Sequence, residues 1–170
     1  LGRHGLRSPS SHRNKGKKHI HPLRPRRLCP GELVQLDACI DYFTLSSTKL
    51  ALHVAIDDAT SLIVGAHFDY QETTESYFHV LKDIIDHYGI PGAFYTDNRT
   101  SFISSGDSKP KQDSRVQFRR ACQTLGIELI TTSTAQAKGR VERFMRTAQD
   151  RLSNELKANG ISSIDQANDY

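Results

Sequence analysis

Three strand patterns follow one another within some 35 residues, and that succession constrains the fold more than any other feature of the chain. In "GELVQLDACI", Val34, Leu36, Ala38 and Ile40 alternate with Gln35, Asp37 and Cys39, the two-residue period of a β-strand. "KLALHVAI" is almost wholly apolar, meets a turn at "DDATS" and returns as "LIVGAHF". This predicts a hairpin whose strands are both buried on two faces. Three successive antiparallel strands are therefore expected.

Helical and strand patterns then alternate. "TTESYFHVLKDIIDHYGIPG" can be capped by Thr73 or Thr74 and carries a stripe of Tyr77, Leu81, Ile84, Ile85 and Tyr88 before Gly89 and Pro91 end it. "AFYTDN" reads as a short strand, 104–114 as a loop, "VQFRRACQTLG" as a helix and "IELIT" as a fifth strand. A long helix follows over about 138–158. The order β-β-β-α-β-α-β-α predicts an α/β fold, a mixed five-stranded sheet with helices on its faces.

Charge divides the chain in two. Of 23 Lys/Arg, nine lie in residues 1–31, Arg24, Arg26 and Arg27 among them, with no acid there; the other 14 face all 19 acids. A basic, proline-punctuated arm (1–31) joined to an acidic domain (32–170) makes nucleic acid the leading partner for the arm. A solubilising linker is the other reading. Three widely spaced cysteines fit a reducing compartment better than a disulfide scaffold, and none has the spacing of a zinc site. No run approaches the ~18 apolar residues of a membrane span, and no secretory h-region opens the chain. It begins at Leu1, and "SSIDQANDY" reads as a helix cut short, so a fragment of a longer protein is expected.

Three carboxylates stand in unusual places. Asp37 lies mid-strand between Leu36 and Ala38, where aspartate is depleted and a buried charge needs a partner. Asp97 lies at the carboxyl end of "AFYT", the edge of an α/β sheet where ligand crevices form; turn chemistry would also explain it. Glu142 flanks the stripe of Val141, Phe144, Met145, Ala148 and Leu152, beside Arg146 and Gln149, where a pair with Arg146 is the plain alternative. Taken together, two strand aspartates and a helix glutamate make an all-oxygen cluster suited to Mg²⁺ or Mn²⁺, and two such ions support phosphoryl transfer. Asp57 and Asp58 read as hairpin-turn residues, and Phe94, Tyr95 and Phe102 as core.

The blocks "GELVQLDA", "AIDDAT", "ETTESYF", "FYTDNRTSF", "LGIELI", "QAKGRVERF" and "QDRLSNELKANGI" occur in an order that resembles the ribonuclease H-like catalytic core of retroviral integrases and bacterial insertion-sequence transposases, specifically the ISNCY type. The resemblance covers about 31–158. It implies that Asp37, Asp97 and Glu142 form an Asp-Asp-Glu triad binding two Mg²⁺, and that Gln136, Lys138 and Arg140 contact DNA. The chain departs from the pattern at Ala38, where glycine is common, at Met145, where asparagine is common, and in "STAQAKG", which lacks the usual proline.

The expected activity is metal-dependent DNA strand cleavage and strand transfer on element ends and target DNA. A homodimer or larger nucleoprotein assembly, cytoplasmic and associated with the nucleoid, is expected with it. The alternatives are a ribonuclease H-like nuclease that only hydrolyses, and an inactive DNA-binding module.

Overall fold

A computed structural model describes residues 25–97, 114–132 and 139–170, with the backbone alone at 97, 114–116, 132 and 139–140. Strands β1 (Val34–Asp41), β2 (Leu50–Asp57) and β3 (Ile63–Asp69) form the antiparallel meander expected from their patterns. Strands β4 (Ala93–Asp97) and β5 (Glu128–Thr132) add in parallel on the other side of β1. The five-stranded sheet thus has the order β3-β2-β1-β4-β5.

This order explains why β2 and β3 differ in burial. Every residue of β2 is buried because helices cover both faces of the sheet there. β3 is an edge strand, with Ile63 and Ala66 exposed, so the expectation of two buried faces for both hairpin strands holds for β2 and fails for β3. Two apolar strands of similar composition cannot be ranked as centre or edge until the pairing is known.

On one face lie α1 (Thr74–Tyr88) and α2 (Ser114–Thr124), which bury Tyr77, Val80, Ile84 and Phe118 against Val34, Leu36 and Phe94. Thr73 caps α1, its Oγ1 accepting the Ser76 N–H at 3.1 Å, and Gly89 ends it at φ +94. The buried stripe of α1 takes Val80 and leaves Tyr88 62% exposed. At the contact with β3, Gly65 lets α1 approach closely: a Cβ there would lie 3.1 Å from both Val80 Cγ1 and the Val80 carbonyl oxygen.

The opposite face is covered by the C-terminal helices. α3 (Gly139–Thr147) continues through a π-helical turn (Ala148–Leu152) into α4 (Ser153–Ala158), and α5 (Ile164–Asp169) comes after a break. Val141, Met145 and Ala148 pack on β2 as expected. The π turn, closed by the Ser153 N–H on the Ala148 carbonyl, inserts one residue and rotates α4 about the helix axis relative to α3. Ser153 and Leu156 are then buried, while Leu152 is only half-buried. α5 opens on a capping box between Ser163 and Gln166. It sends the Asn168 amide to the free edge of β3, accepting the Phe68 N–H at 2.7 Å and donating to the Phe68 carbonyl at 3.1 Å. No helix among the described residues is long and apolar enough to cross a membrane.

Candidate active site

Strand alternation sorts β1 into two sides. Val34, Leu36 and Ala38 belong to the α1 side, and Gln35, Asp37 and Cys39 to the α3 side. Asp37 is half-buried and pairs across β2 with Val54, itself in the core under α3. Its negative charge is felt by Cys39, whose thiol is pushed up to about 12 by burial first and then by the carboxylates of Asp37 and Asp41.

Asp97 is the last residue of β4. The register Val34↔Phe94, Gln35↔Tyr95, carried two residues further, sets the backbone of Asp97 level with Asp37. β1 continues to pair with β2 as far as Asp41↔Leu50, but its pairs with β4 are Val34 and Gln35. The sheet therefore opens beside Asp37, at the carboxyl end of a parallel strand, where crevices form in α/β sheets. The Asp97 side chain lies outside the described residues.

Glu142 lies in the first turn of α3, the helix that crosses β1 and β2. It is exposed, as are Arg143 and Arg146, while its neighbour Val141 is fully buried. No ion pair joins Glu142 to Arg146 among the described residues. Further along, Arg151 pairs with Glu155 at 3.4 Å.

A buried hydrogen-bond chain anchors this helix turn. Gln35, 1% exposed, donates from Nε2 to Asp58 Oδ1 at 2.7 Å and accepts the Val141 N–H on Oε1 at 3.4 Å. Asp58 Oδ2 in turn accepts the Arg27 N–H at 2.8 Å. Next to it, Asp57 accepts from Gly31 N, Thr60 N and Thr60 Oγ1 at 2.7–2.8 Å. Both aspartates build the hairpin turn as expected, and both also clasp the segment before β1. Sequence reasoning passed over Gln35, although a glutamine between Val34 and Leu36 on a buried strand carries the same signal as Asp37.

Arg26 and Arg27 are exposed. The Arg26 guanidinium donates to the Ala59 carbonyl at 3.2 Å, and Arg27 lies 3.9 Å from Glu32. The Arg26 cation thus sits against the β2–β3 turn, while that of Arg27 faces Glu32 ahead of β1. Arg24, Gln136, Lys138, Phe102 and most of the 104–114 loop lie outside the described residues, as does the side chain of Arg140. Among the described residues no three His, Cys, Asp or Glu side chains are grouped to hold a metal ion.

A mixed sheet of this order, sandwiched by helices, with an aspartate mid-β1 and another ending β4, defines a ribonuclease H-like core. The integrase core domain profile matches residues 27–137, and the chain belongs to that family. The matched stretch contains Asp37 and Asp97 and ends before Glu142.

The chain is 48% identical over 156 residues to the transposase for insertion sequence IS1202 of Streptococcus pneumoniae, covering 90% of this chain and 33% of that protein. A second transposase relative, from Sinorhizobium fredii, is 38% identical over 158 residues, covering 92% and 34%. The chain thus spans about a third of the length of the curated relatives it matches.

Among solved structures it is similar to the simian T-cell lymphotropic virus intasome in complex with PP2A regulatory subunit B56 gamma. The TM-score is 0.67 at 23% identity, covering 88% of this chain and 51% of that one. It is also similar to the magnesium-bound, dimeric HTLV-2 integrase catalytic core domain, with TM-score 0.62 at 22% identity and coverage of 84% and 83%. These two likenesses establish the fold as that of retroviral integrase cores.

Proposed function

We propose that the chain is the catalytic core of an insertion-sequence transposase, a polynucleotidyl transferase that cuts DNA and joins it to a new site. The observation that supports this reading is the β1–β4 register, which, carried two residues past Gln35↔Tyr95, brings the backbones of Asp37 and Asp97 level on neighbouring strands, with Glu142 on the helix that packs over β1. With the two strands parting beyond Gln35, Asp37 and Asp97 would flank a crevice at the carboxyl end of β4 in which an ion could sit. Asp37, Asp97 and Glu142 would hold Mg²⁺, two ions in full, with Mn²⁺ as substitute. The donor set fits: it is all oxygen, half-buried at Asp37 and exposed at Glu142. When bound, Mg²⁺ supplies Lewis acidity that activates an attacking oxygen and stabilises a leaving one in line.

The residues of the chain do the rest. The two aspartates fix the ion site on rigid sheet, and Glu142 closes it from the helix. Gln136, Lys138 and Arg140, leading into and opening α3, would grip the phosphate backbone, and Arg24, Arg26 and Arg27 would extend that contact along the arm. Water attacks the phosphodiester at an element end, and the freed 3′-hydroxyl then attacks target DNA, with no covalent protein intermediate. Joining two ends calls for a homodimer or larger nucleoprotein assembly, and the work is done in the bacterial cytoplasm at the nucleoid. The magnesium-bound dimer and the intasome among the structural neighbours support the metal and the assembly.

The test is strand transfer on a branched DNA that mimics the joined product, in Mn²⁺ and in EDTA, with the chain and with Glu142→Gln. Cutting with joining, lost in the variant and in EDTA, is the expected result. Cutting without joining would replace the reading with a hydrolytic nuclease. DNA binding that ignores EDTA and yields no product in any metal would leave a binding module.

A further inference from the structure

The buried chain Arg27 N–H, Asp58, Gln35, Val141 N–H is longer than any turn requires. It joins three parts of the protein distant in sequence: the segment before β1, the β2–β3 turn and the start of α3. Gln35 is 1% and Asp58 0% exposed, so the Asp58–Gln35–Val141 part of the link is shielded from water, where each hydrogen bond is hardest to replace. It also bears directly on the candidate site. Gln35 shares a side of β1 with Asp37, two residues away, and Val141 is the residue before Glu142.

The geometry points to Gln35 and Asp58 as positioning residues that set the height of Glu142 over Asp37 and tie it to the seating of residues 25–31. This rests on the proposed triad. α3 meets the sheet mainly through apolar contacts of Val141 and Met145, which tolerate a slide along the helix axis. The Val141 N–H is a first-turn donor with no partner within the helix, and its bond to Gln35 adds the directional constraint that apolar packing lacks. Asp58 matters because it fixes the Gln35 amide in one orientation. With Nε2 turned to Asp58, Oε1 must face Val141. Displacing a carboxylate by about 1 Å can cost on the order of a hundredfold in rate, so a loose anchor would act on turnover before it acted on DNA binding.

Reversing the middle hydrogen bond tests this. Gln35→Glu sets two carboxylates against each other, and Asp58→Asn takes away the carboxylate that orients Gln35. When both changes are combined, the amide introduced at position 58 can donate to the carboxylate introduced at position 35 while its oxygen still accepts from Arg27. The carboxylate at position 35 can still accept from Val141. The assay is strand transfer on the branched DNA in Mn²⁺, at least ten degrees below each variant's melting temperature, together with DNA affinity and Mn²⁺ affinity by electron paramagnetic resonance.

Each single variant is expected to lose about tenfold or more in kcat, with weaker Mn²⁺ binding and DNA affinity within about twofold. The double variant should recover most of both losses. If Asp58→Asn fails to fold, Gln35→Glu against the double variant carries the comparison. Wild-type kcat in the singles, or a double variant no better than the worse single, overturns the relay. Glu142→Gln separates the two readings. Inactive Glu142→Gln beside normal singles sinks the relay alone, and active Glu142→Gln sinks the triad and the relay with it.

Discussion

Lowering the pH from 7 to 5 is expected to destabilise the folded chain by about 2 kcal/mol through one side chain, His53. His53 lies in the middle of β2, fully buried, edge-on to Tyr77 with ring centroids 4.9 Å apart. Its Nδ1 is 3.4 Å from the His67 carbonyl, and its Nε2 has no partner. Burial lowers its pKa from 6.5 to about 4, more than the His67 carbonyl and the Asp69 charge raise it. The fold therefore holds the neutral ring, while the unfolded chain takes up a proton below 6.5. Between these values the unfolded state binds more protons, so stability is complete above 6.5 and falls as the pH drops toward 4.

The full difference is about 3 kcal/mol, of which about 2 is lost by pH 5. For a chain of this size that is a fall of roughly 4–8 °C in melting temperature. Urea unfolding at constant ionic strength, from pH 7 to 5, measures it. In His53→Gln, which can still donate to the His67 carbonyl, most of the slope should vanish. A residue of the slope should remain from His67, whose pKa burial and the stacked His79 also lower. Asp69 does not enter this window. Burial raises its pKa, but hydrogen bonds from Ser76, Thr73 and Tyr70 leave it below its ordinary value of 3.8. An unchanged slope in His53→Gln would refute the reasoning.

Three further outcomes are expected. Gly65→Ala puts a methyl against the Val80 carbonyl and should cost about 1–3 kcal/mol in urea unfolding, because α1 has to lift from β3. Asn168→Ala removes both hydrogen bonds to the Phe68 main chain. It should cost about 1–3 kcal/mol and, with the β3 edge bared, increase self-association in sedimentation velocity runs. Cys122, buried, has its thiol pushed up to about 12 by that burial, so its thiolate is scarce at pH 8. A thiol reagent at that pH, followed by mass spectrometry, should label exposed Cys29 first and Cys122 only on unfolding.

The element order, the caps of α1 and the buried stripe of α3 were all legible in the chain, because each rests on periodicities within a few residues. Asp37 was legible for the same reason, as a charge at a position where a strand has no use for one. The clasp formed by Gln35 and Asp58 was not, since Gln35 stands 23 residues from one partner and 106 from the other. Nor was the rank of β2 over β3 as the buried strand, or the π turn that hands burial from Leu152 to Ser153 and Leu156.

The amino-acid sequence by itself therefore determined the list of elements and the chemical oddity of particular residues, both consequences of local steric and solvation preference. Tertiary structure alone decided which strand became the edge, the register that pairs Val34 with Phe94 and Gln35 with Tyr95, and which main-chain donor Gln35 holds. Those outcomes depend on register and on the closing of the sheet between two helical layers, where a shift of one residue would carry every side chain of a strand to the opposite face.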